Sequence, residues 1–208
     1  MRRCVIIGGA AIESYERARA YLQEDDFFIY CDCGLRHRAG LGRAPDLVIG
    51  DFDSGENPQL PVETIVLPHE KDDTDTFFAA KEARRRGFRD FLLLGAAGQR
   101  LDHTLGNIGI LLALHGQGCR ALLLDEYSEM EIVGAAGAEV SDRFPYFSLL
   151  AVDGAASEIT VTGAKYPLLH ARLTAATSLG ISNEPLPGQE ARITVGKGRL
   201  LLVRVFEG

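Results

Sequence analysis

Residues 47–54 read Leu-Val-Ile-Gly-Asp-Phe-Asp-Ser, an apolar run that ends abruptly in two carboxylates. A short apolar run bounded by glycine is typical of a buried strand, and ligands of parallel sheets bind outside the carboxyl ends of the strands. If the backbone stays extended, Asp51 and Asp53 point to the same side because the strand period is two. Two such carboxylates suit Mg²⁺, although Asp53 and Ser54 could equally cap a turn or a helix.

The segments around this strand alternate between β-rich and helical runs as far as about Leu124. This alternation predicts an α/β fold with a mostly parallel sheet flanked by helices. Gly87 and Gly116 follow two of the helical runs, where a left-handed residue commonly ends a helix. The predicted strands are residues 4–7, 27–31, 47–50, 63–67, 91–95 and 121–124, and the predicted helices are 13–24, 74–86 and 102–115.

After Leu124 the pattern changes to short alternating runs separated by Gly, Pro and Asn. These predicted strands are residues 130–133, 147–151, 158–162, 191–195 and 200–206. No run of helical length is evident among them. We therefore predict an α/β domain at residues 1–126 and a C-terminal all-β, sandwich-like domain at residues 127–208.

Residues 71–75, Lys-Asp-Asp-Thr-Asp, place four charges just before a predicted helix. One of Asp72, Asp73 or Thr74 is expected to cap that helix, and capping uses only one of them. The remaining carboxylates repel one another unless a cation or Lys71 offsets them, which favours a metal or phosphate site. A capped, solvated helix start is the alternative.

Residues 95–103, Gly-Ala-Ala-Gly-Gln-Arg-Leu-Asp-His, also join a predicted strand to a predicted helix. Glycines at such a junction let backbone amides approach a phosphate, yet the segment matches neither the Walker pattern nor the dinucleotide fingerprint. Arg100 suits phosphate oxygens, Asp102 could be the N-cap, a ligand or a base, and His103 could be structural or catalytic. Because Asp32 also follows a predicted strand, four loops converge on one edge and suit a nucleotide phosphate held by Mg²⁺.

The composition excludes several classes of protein. The chain has 208 residues, of which 46% are hydrophobic and 25% charged, as in ordinary globular proteins. Its formal charge of −7 disfavours a broad nucleic-acid interface. The apolar run at the N-terminus is too short for a signal sequence, and no apolar stretch is long enough to span a membrane. We therefore expect a cytoplasmic protein that binds neither nucleic acid nor a membrane.

Taken together, these motifs resemble the thiamine pyrophosphokinase family, whose members transfer the terminal pyrophosphate of ATP to the hydroxyl of thiamine and release AMP. The matching segments lie in order between residues 30 and 185, at 31–34, 45–46, 50–54, 71–75, 95–103 with Asn107, 163–168 and 180–184. The resemblance implies an α/β catalytic domain, a β-sandwich that binds thiamine and mediates dimerisation, and a homodimer that uses ATP, thiamine and Mg²⁺.

The resemblance also implies roles for individual residues. Mg²⁺ would be held by Asp51, Asp53 and Asp75, which form the predicted catalytic set together with Asp102. The hydroxyl proton would pass to either Asp75 or Asp102. The predicted ATP-binding residues are Asp32, Lys71, Asp72, Gly95, Gly98, Arg100, Asp102 and His103, and the predicted thiamine-binding residues are Thr74, Asn107, Ser182 and Asn183.

The chain departs from the family pattern at Cys31, Cys33 and Gln99. Cys33 stands where the family has glycine, so we expect its Cβ to reshape the turn beside Asp32. The acidic motifs also identify metal chemistry better than they identify a substrate. Two alternatives therefore stay open: a phosphohydrolase or nucleotidyltransferase that uses the same carboxylates, and a nucleotide- or thiamine-binding sensor without turnover.

Overall fold

The structure is a computed structural model that describes residues 2–52, 60–70, 72–98 and 100–206. The chain divides into two compact units, Met1–Glu126 (unit 1) and Tyr127–Gly208 (unit 2). Each unit has its own strands and its own buried apolar core. Within the described residues, no helix is long and apolar enough to cross a membrane.

The described strands of unit 1 form a parallel sheet. They are β1 (Cys4–Ile7), β2 (Phe27–Cys31), β3 (Leu47–Gly50), β4 (Glu63–Val66), β5 (Asp90–Leu94) and β6 (Arg120–Leu124). Their order is β4-β3-β2-β1-β5-β6, and every pair is parallel, which confirms the expected architecture. The chain builds outward from β1 to β4 and then returns to add β5 on the other side of β1. Ligands of open α/β sheets bind at such a reversal of strand order.

The helices of unit 1 are α1 (Tyr15–Ala20), α2 (Arg38–Leu41), α3 (Asp75–Arg85) and α4 (Leu101–Gly116), and a 3₁₀ helix covers Asp32–His37. The strands β1 and β3 are buried at every position, which is why they read as continuous apolar runs. The 3₁₀ helix and α2 were not predicted.

Two helix ends differ from the prediction. The helix α1 stops at Ala20, four residues before the predicted end at residue 24, and the buried carboxylate of Asp26 accepts the N–H of Gln23 instead. Gly87 has the expected left-handed backbone with a φ of 100°, but Gly116 still belongs to α4. The left-handed turn after α4 falls on Gly118, with a φ of 71°.

Unit 2 is a sandwich of antiparallel strands, as predicted. Its described strands are β7 (Ser128–Val133), β8 (Ala138–Ser141), β9 (Tyr146–Leu150), β10 (Ala156–Thr162), β11 (Leu168–Leu173), β12 (Glu190–Lys197) and β13 (Leu200–Val205). In one layer β13 pairs with β7 and β9, and in the other the order is β11-β10-β12-β8. Apolar side chains from both layers form one core, with Phe147 and Leu202 from the first layer and Ile159 and Ile193 from the second.

Candidate active site

Two loops meet where the strand order of unit 1 reverses. The backbone N–H of Gly8, just after β1, donates to the carbonyl of Leu94, and the N–H of Ala10 donates to the carbonyl of Gly95, each at 2.8 Å. A Cβ on Gly8 would lie 2.6 Å from the Gly95 carbonyl oxygen, and a Cβ on Gly95 would lie 2.6 Å from that of Gly8. Both positions therefore require glycine, and Gly95 also has a left-handed φ of 57°.

A cavity of about 570 Å³ opens above these loops, at the carboxyl ends of the strands. Its walls come from the segments after β1, β2 and β5, from the first turn of α3 and from the first two turns of α4. The predicted site residues among its lining are Asp32, Thr74, Asp75, Gly95, Gly98, Arg100, His103 and Asn107. The edge that the sequence predicted is thus the edge that carries the cavity.

Three carboxylates come together at this edge. One oxygen each of Asp32, Asp51 and Asp75 lie within 4.8 Å of one another, and all three residues are half-buried. Asp32 follows β2, Asp51 follows β3, and Asp75 is the first residue of α3. Carboxylate oxygens at this spacing are a donor set that suits a hard divalent cation such as Mg²⁺.

This group differs from the predicted metal set. Asp53 lies outside the described residues, so its predicted role stays a prediction. The extended backbone on which that prediction rested is absent, because β3 ends at Gly50 and Phe52 has a left-handed φ of 53°. Asp32 enters the group instead. Its own φ is 36°, a conformation that Asp adopts more readily than most residues.

The cap of α3 is Thr74. Its hydroxyl accepts the backbone N–H of Phe77 at 3.2 Å, which decides the capping role among the acidic motif's residues. Asp73 instead forms an ion pair with Lys81 at 2.7 Å. Asp72 is exposed and is not among the described residues that line the cavity, and Lys71 lies outside the described residues.

Arg100 and Asp102 form an exposed ion pair at the start of α4. The guanidinium donates to both carboxylate oxygens, with Nε–Oδ1 at 3.0 Å and Nη2–Oδ2 at 2.6 Å. These hydrogen bonds hold the pKa of Asp102 well below its usual range. Asp102 is not the N-cap, since Arg100 occupies that position, and it is not among the described residues that line the cavity.

Asn107 fixes the loop that follows β5. Its side-chain amide is buried and donates to the carbonyl of Ala96 at 2.6 Å. The same loop is held again where the N–H of Gly98 donates to the hydroxyl of Thr104 at 3.1 Å. Gln99 lies outside the described residues. The glycine-rich segment is therefore fastened to α4 by two side chains of that helix.

Sequence reasoning missed part of this cavity. Residues 9–11 of the loop after β1 line it, and the pair Gly8-Gly9 directly after an apolar run was a usable signal. A buried His37 also supports this loop, and spacing along the sequence gives no sign of it. Its Nε2 lies 2.8 Å from the Ala10 carbonyl oxygen and its Nδ1 lies 2.9 Å from the Tyr15 hydroxyl. The carbonyl can only accept, so Nε2 carries the proton and Nδ1 accepts from Tyr15.

Two family models match the chain. The one described as thiamin pyrophosphokinase, catalytic domain, matches residues 18–123, and the one described as thiamin pyrophosphokinase, vitamin B1 binding domain, matches residues 138–200. The chain belongs to the thiamine pyrophosphokinase family. This confirms the resemblance drawn from the sequence, and the chain is thereby a kinase-type transferase.

Individual members of the thiamine pyrophosphokinase family are similar along their whole length. Thiamine pyrophosphokinase of Bacillus subtilis (strain 168) is 28% identical over 212 residues, which cover 98% of this chain and 99% of that protein. The crystal structure of thiamine pyrophosphokinase from Bacillus subtilis has a TM-score of 0.87 with 26% identity and covers 100% of both chains. That of thiamin pyrophosphokinase from Geobacillus thermodenitrificans has a TM-score of 0.85 with 28% identity, over 99% of this chain and 98% of that one.

Within the part matched by the vitamin B1 binding model, Ser182 and Asn183 lie beside β9. Ser182 has a left-handed φ of 55°, and its N–H donates to the hydroxyl of Ser148 at 3.0 Å. The buried amide of Asn183 accepts from the N–H groups of Tyr166 and Glu184 at 3.0 and 2.9 Å and donates to the Tyr166 carbonyl at 2.8 Å. Asn183 therefore orders a loop of unit 2 through its own polar atoms.

The two cysteines that depart from the thiamine pyrophosphokinase pattern fit their surroundings. Cys31 is buried at the end of β2, where burial raises the pKa of its thiol and keeps it neutral. Cys33 is exposed and lines the cavity, with Sγ 3.2 Å from an oxygen of Asp32. The left-handed residue of this turn is Asp32, and Cys33 is not among the described residues with a positive φ.

Proposed function

We propose that this chain transfers the terminal pyrophosphate of ATP to the hydroxyl of thiamine, forming thiamine diphosphate and AMP with Mg²⁺ as cofactor. The observation that carries the proposal is the convergence of Asp32, Asp51 and Asp75 within 4.8 Å, at the edge of a cavity walled by a glycine-rich loop. Membership of the thiamine pyrophosphokinase family supports the choice of acceptor.

The donor set supports magnesium as the cofactor. Three carboxylates from three different segments of unit 1 would hold the ion, and Asp53 remains a further predicted ligand outside the described residues. When bound, Mg²⁺ neutralises negative charge on the phosphate groups. The three carboxylates repel one another at a half-buried position, and a cation bound by their oxygens would cancel that repulsion.

The other residues of the site would bind and orient the substrates. Backbone N–H groups of the loop at residues 95–97 would face phosphate oxygens, because glycines at a junction of strand and helix let the backbone approach a phosphate, and Thr104 holds the end of the loop by accepting the N–H of Gly98. Arg100 would bind phosphate as a planar donor, with Asp102 holding its guanidinium in place. His103 and the exposed Asp72 would contribute to nucleotide binding nearby.

Asp75 is the better acceptor for the thiamine hydroxyl proton. It lines the cavity, whereas Asp102 pairs with Arg100 and its lowered pKa makes it a weak base. For thiamine itself we propose Thr74 and Asn107 at the cavity and Ser182 and Asn183 in unit 2, on the family resemblance. The homodimer is also proposed on that resemblance, and sedimentation velocity tests it. A cytoplasmic location is proposed as the sequence patterns predicted it.

The test is the identity of the released nucleotide. Wild-type protein, ATP, Mg²⁺ and thiamine should yield AMP and thiamine diphosphate in equal amounts by liquid chromatography. Release of ADP, or of phosphate or AMP without thiamine, would favour the phosphohydrolase or nucleotidyltransferase reading. Tight binding of both substrates without product would favour the sensor.

A substitution at Asp51 tests the role of the three carboxylates. Asp51→Asn removes one ligand charge at nearly constant volume and should reduce turnover by at least about 100-fold, the range expected for a group that stabilises developing charge. Asp25→Asn makes the same chemical change before β2, at the opposite edge of the sheet, and should retain turnover. Equal turnover by the Asp51→Asn protein would remove this residue from the proposed site.

A further inference from the structure

We propose that Arg36 is a second arginine that binds the phosphate groups of the nucleotide. The inference deepens the proposed function and rests on it, since it adds a ligand for ATP at the same cavity. Arg36 belongs to the 3₁₀ helix that follows β2 and is not part of any motif that resembles the family.

The fold places Arg36 at the cavity wall. The left-handed backbone at Asp32 turns the chain after β2 straight into the 3₁₀ helix, and Arg36 emerges from that helix as an exposed side chain that lines the cavity. Because β2 neighbours β1, its loop faces the loop after β1. The Nη2 group of Arg36 reaches across and donates to the carbonyl of Gly9.

The charge of Arg36 remains available to a ligand. Within the described residues, its guanidinium donates to a neutral group, the Gly9 carbonyl, and its Nε lies 3.4 Å from the protonated Nε2 of His37, which cannot accept a hydrogen bond from it. Burial lowers the pKa of His37, which favours its neutral form. Arg100, by contrast, shares its charge with Asp102 through two hydrogen bonds. Of these two arginines, Arg36 therefore has the charge that is less neutralised by the protein, at the wall of a cavity suited to a polyanion.

The anchoring of Arg36 also suits recognition of phosphate. A guanidinium has five N–H donors in a planar fork, so one bond to a carbonyl leaves several for phosphate oxygens. The bond to Gly9 orients the fork before a ligand arrives, which reduces the conformational entropy lost on binding. Arg36 and Arg100 lie in the segments that follow β2 and β5, on either side of the loop after β1.

The competing role for Arg36 is purely structural. Through Gly9, the guanidinium helps to hold the loop after β1, as His37 does through Ala10. A loop support would affect every ligand of the cavity alike. An arginine that binds phosphate strengthens the binding only of molecules that carry phosphate. Its contribution to their affinity weakens as the salt concentration rises.

Isothermal titration calorimetry with adenosine, AMP and Mg²⁺-ATP separates the two roles. For Arg36→Gln we expect the Kd of Mg²⁺-ATP to rise by at least about 10-fold, the loss of a hydrogen bond to a charged group, while the Kd of adenosine is unchanged. Arg36→Lys should recover part of the affinity, because it keeps the charge but not the fork. Arg38→Gln is the matched control, since Arg38 is exposed on α2 and lines a different groove.

If Arg36→Gln weakens the binding of adenosine and of ATP alike, or leaves the binding of ATP unchanged, Arg36 does not bind the phosphate groups. Thermal unfolding of each variant checks that the exposed substitution leaves the fold intact. The proposed reaction has a separate test. A wild-type protein that binds ATP but releases no thiamine-dependent AMP would disprove the reaction, and the calorimetry would still decide whether Arg36 binds phosphate.

Discussion

Replacing Asp32 by asparagine should stabilise the protein in the absence of magnesium and weaken its response to magnesium. The substitution removes one of three charges whose oxygens lie within 4.8 Å of one another. Asparagine is the appropriate replacement, because the backbone φ of 36° at this position is tolerated by Asn and Asp better than by other side chains with a Cβ.

The distances set the size of the effect. Two unit charges at or below 4.8 Å repel each other by about 1 kcal/mol even with the dielectric constant of water. Asp32 takes part in two such pairs, with Asp51 and Asp75. Salt screens charges at this range only in part. We therefore expect Asp32→Asn to raise the free energy of unfolding by about 1–2 kcal/mol in a magnesium-free buffer.

Magnesium should reverse the order of stability. A ligand that binds only the folded protein at 100 times its dissociation constant stabilises the protein by about 2.7 kcal/mol. The wild type should gain stability of this order from saturating Mg²⁺. The variant should gain less at every magnesium concentration, because one of its ligand charges is missing.

Urea unfolding followed by circular dichroism, with EDTA or with Mg²⁺, measures both effects. Asp25→Asn is the matched control, since Asp25 precedes β2 whereas Asp32 follows it. The control should show the wild-type response to magnesium. An Asp32→Asn protein that is no more stable in EDTA and responds fully to Mg²⁺ would refute the placement of Asp32 among the metal ligands.

Three further outcomes are expected, each measured by urea unfolding. Gly95→Ala should lower the free energy of unfolding by about 2–4 kcal/mol, because its Cβ would lie 2.6 Å from the Gly8 carbonyl oxygen on a left-handed backbone. Gly118→Ala is the control: Gly118 has a φ of 71°, but a Cβ there would meet no atom within 4 Å, so the free energy of unfolding should fall by only about 1 kcal/mol. Equal destabilisation by the two substitutions would argue against the close approach of Gly95 to Gly8. Two neighbouring arginines lower the pKa of Glu82 from 4.5 to about 2, so its stabilising effect is present above pH 4.5 and is lost as the pH falls towards 2. Glu82→Gln should flatten the stability profile in that range, and an unchanged slope would contradict the ion pairs. Asn183→Ala should lower stability by about 2 kcal/mol through its lost hydrogen bonds, whereas weaker thiamine binding at unchanged stability would assign its amide to the substrate.

The order of elements in unit 1 was predictable from the sequence. The first three strands were predicted to the residue, because continuous apolar runs in a covered parallel sheet stop where the chain leaves the core. The strands β8 and β11 of unit 2 were missed. They are short or half-exposed, and their alternation is interrupted by charged and small residues, so their pairing depends on neighbours far along the chain.

The sequence by itself determined that acidic and glycine-rich motifs end neighbouring strands, because strand ends are local and carboxylates are excluded from the core. Only the tertiary structure decided which carboxylates meet. Left-handed residues at Asp32 and Phe52 redirect the chain just after β2 and β3, and parallel pairing then brings Asp32 beside Asp51 and the first turn of α3. The alternation of side chains along one strand cannot predict which aspartates come together. Their grouping depends on backbone turns and on the order of the strands in the sheet, and the spacing of the aspartates in the sequence specifies neither.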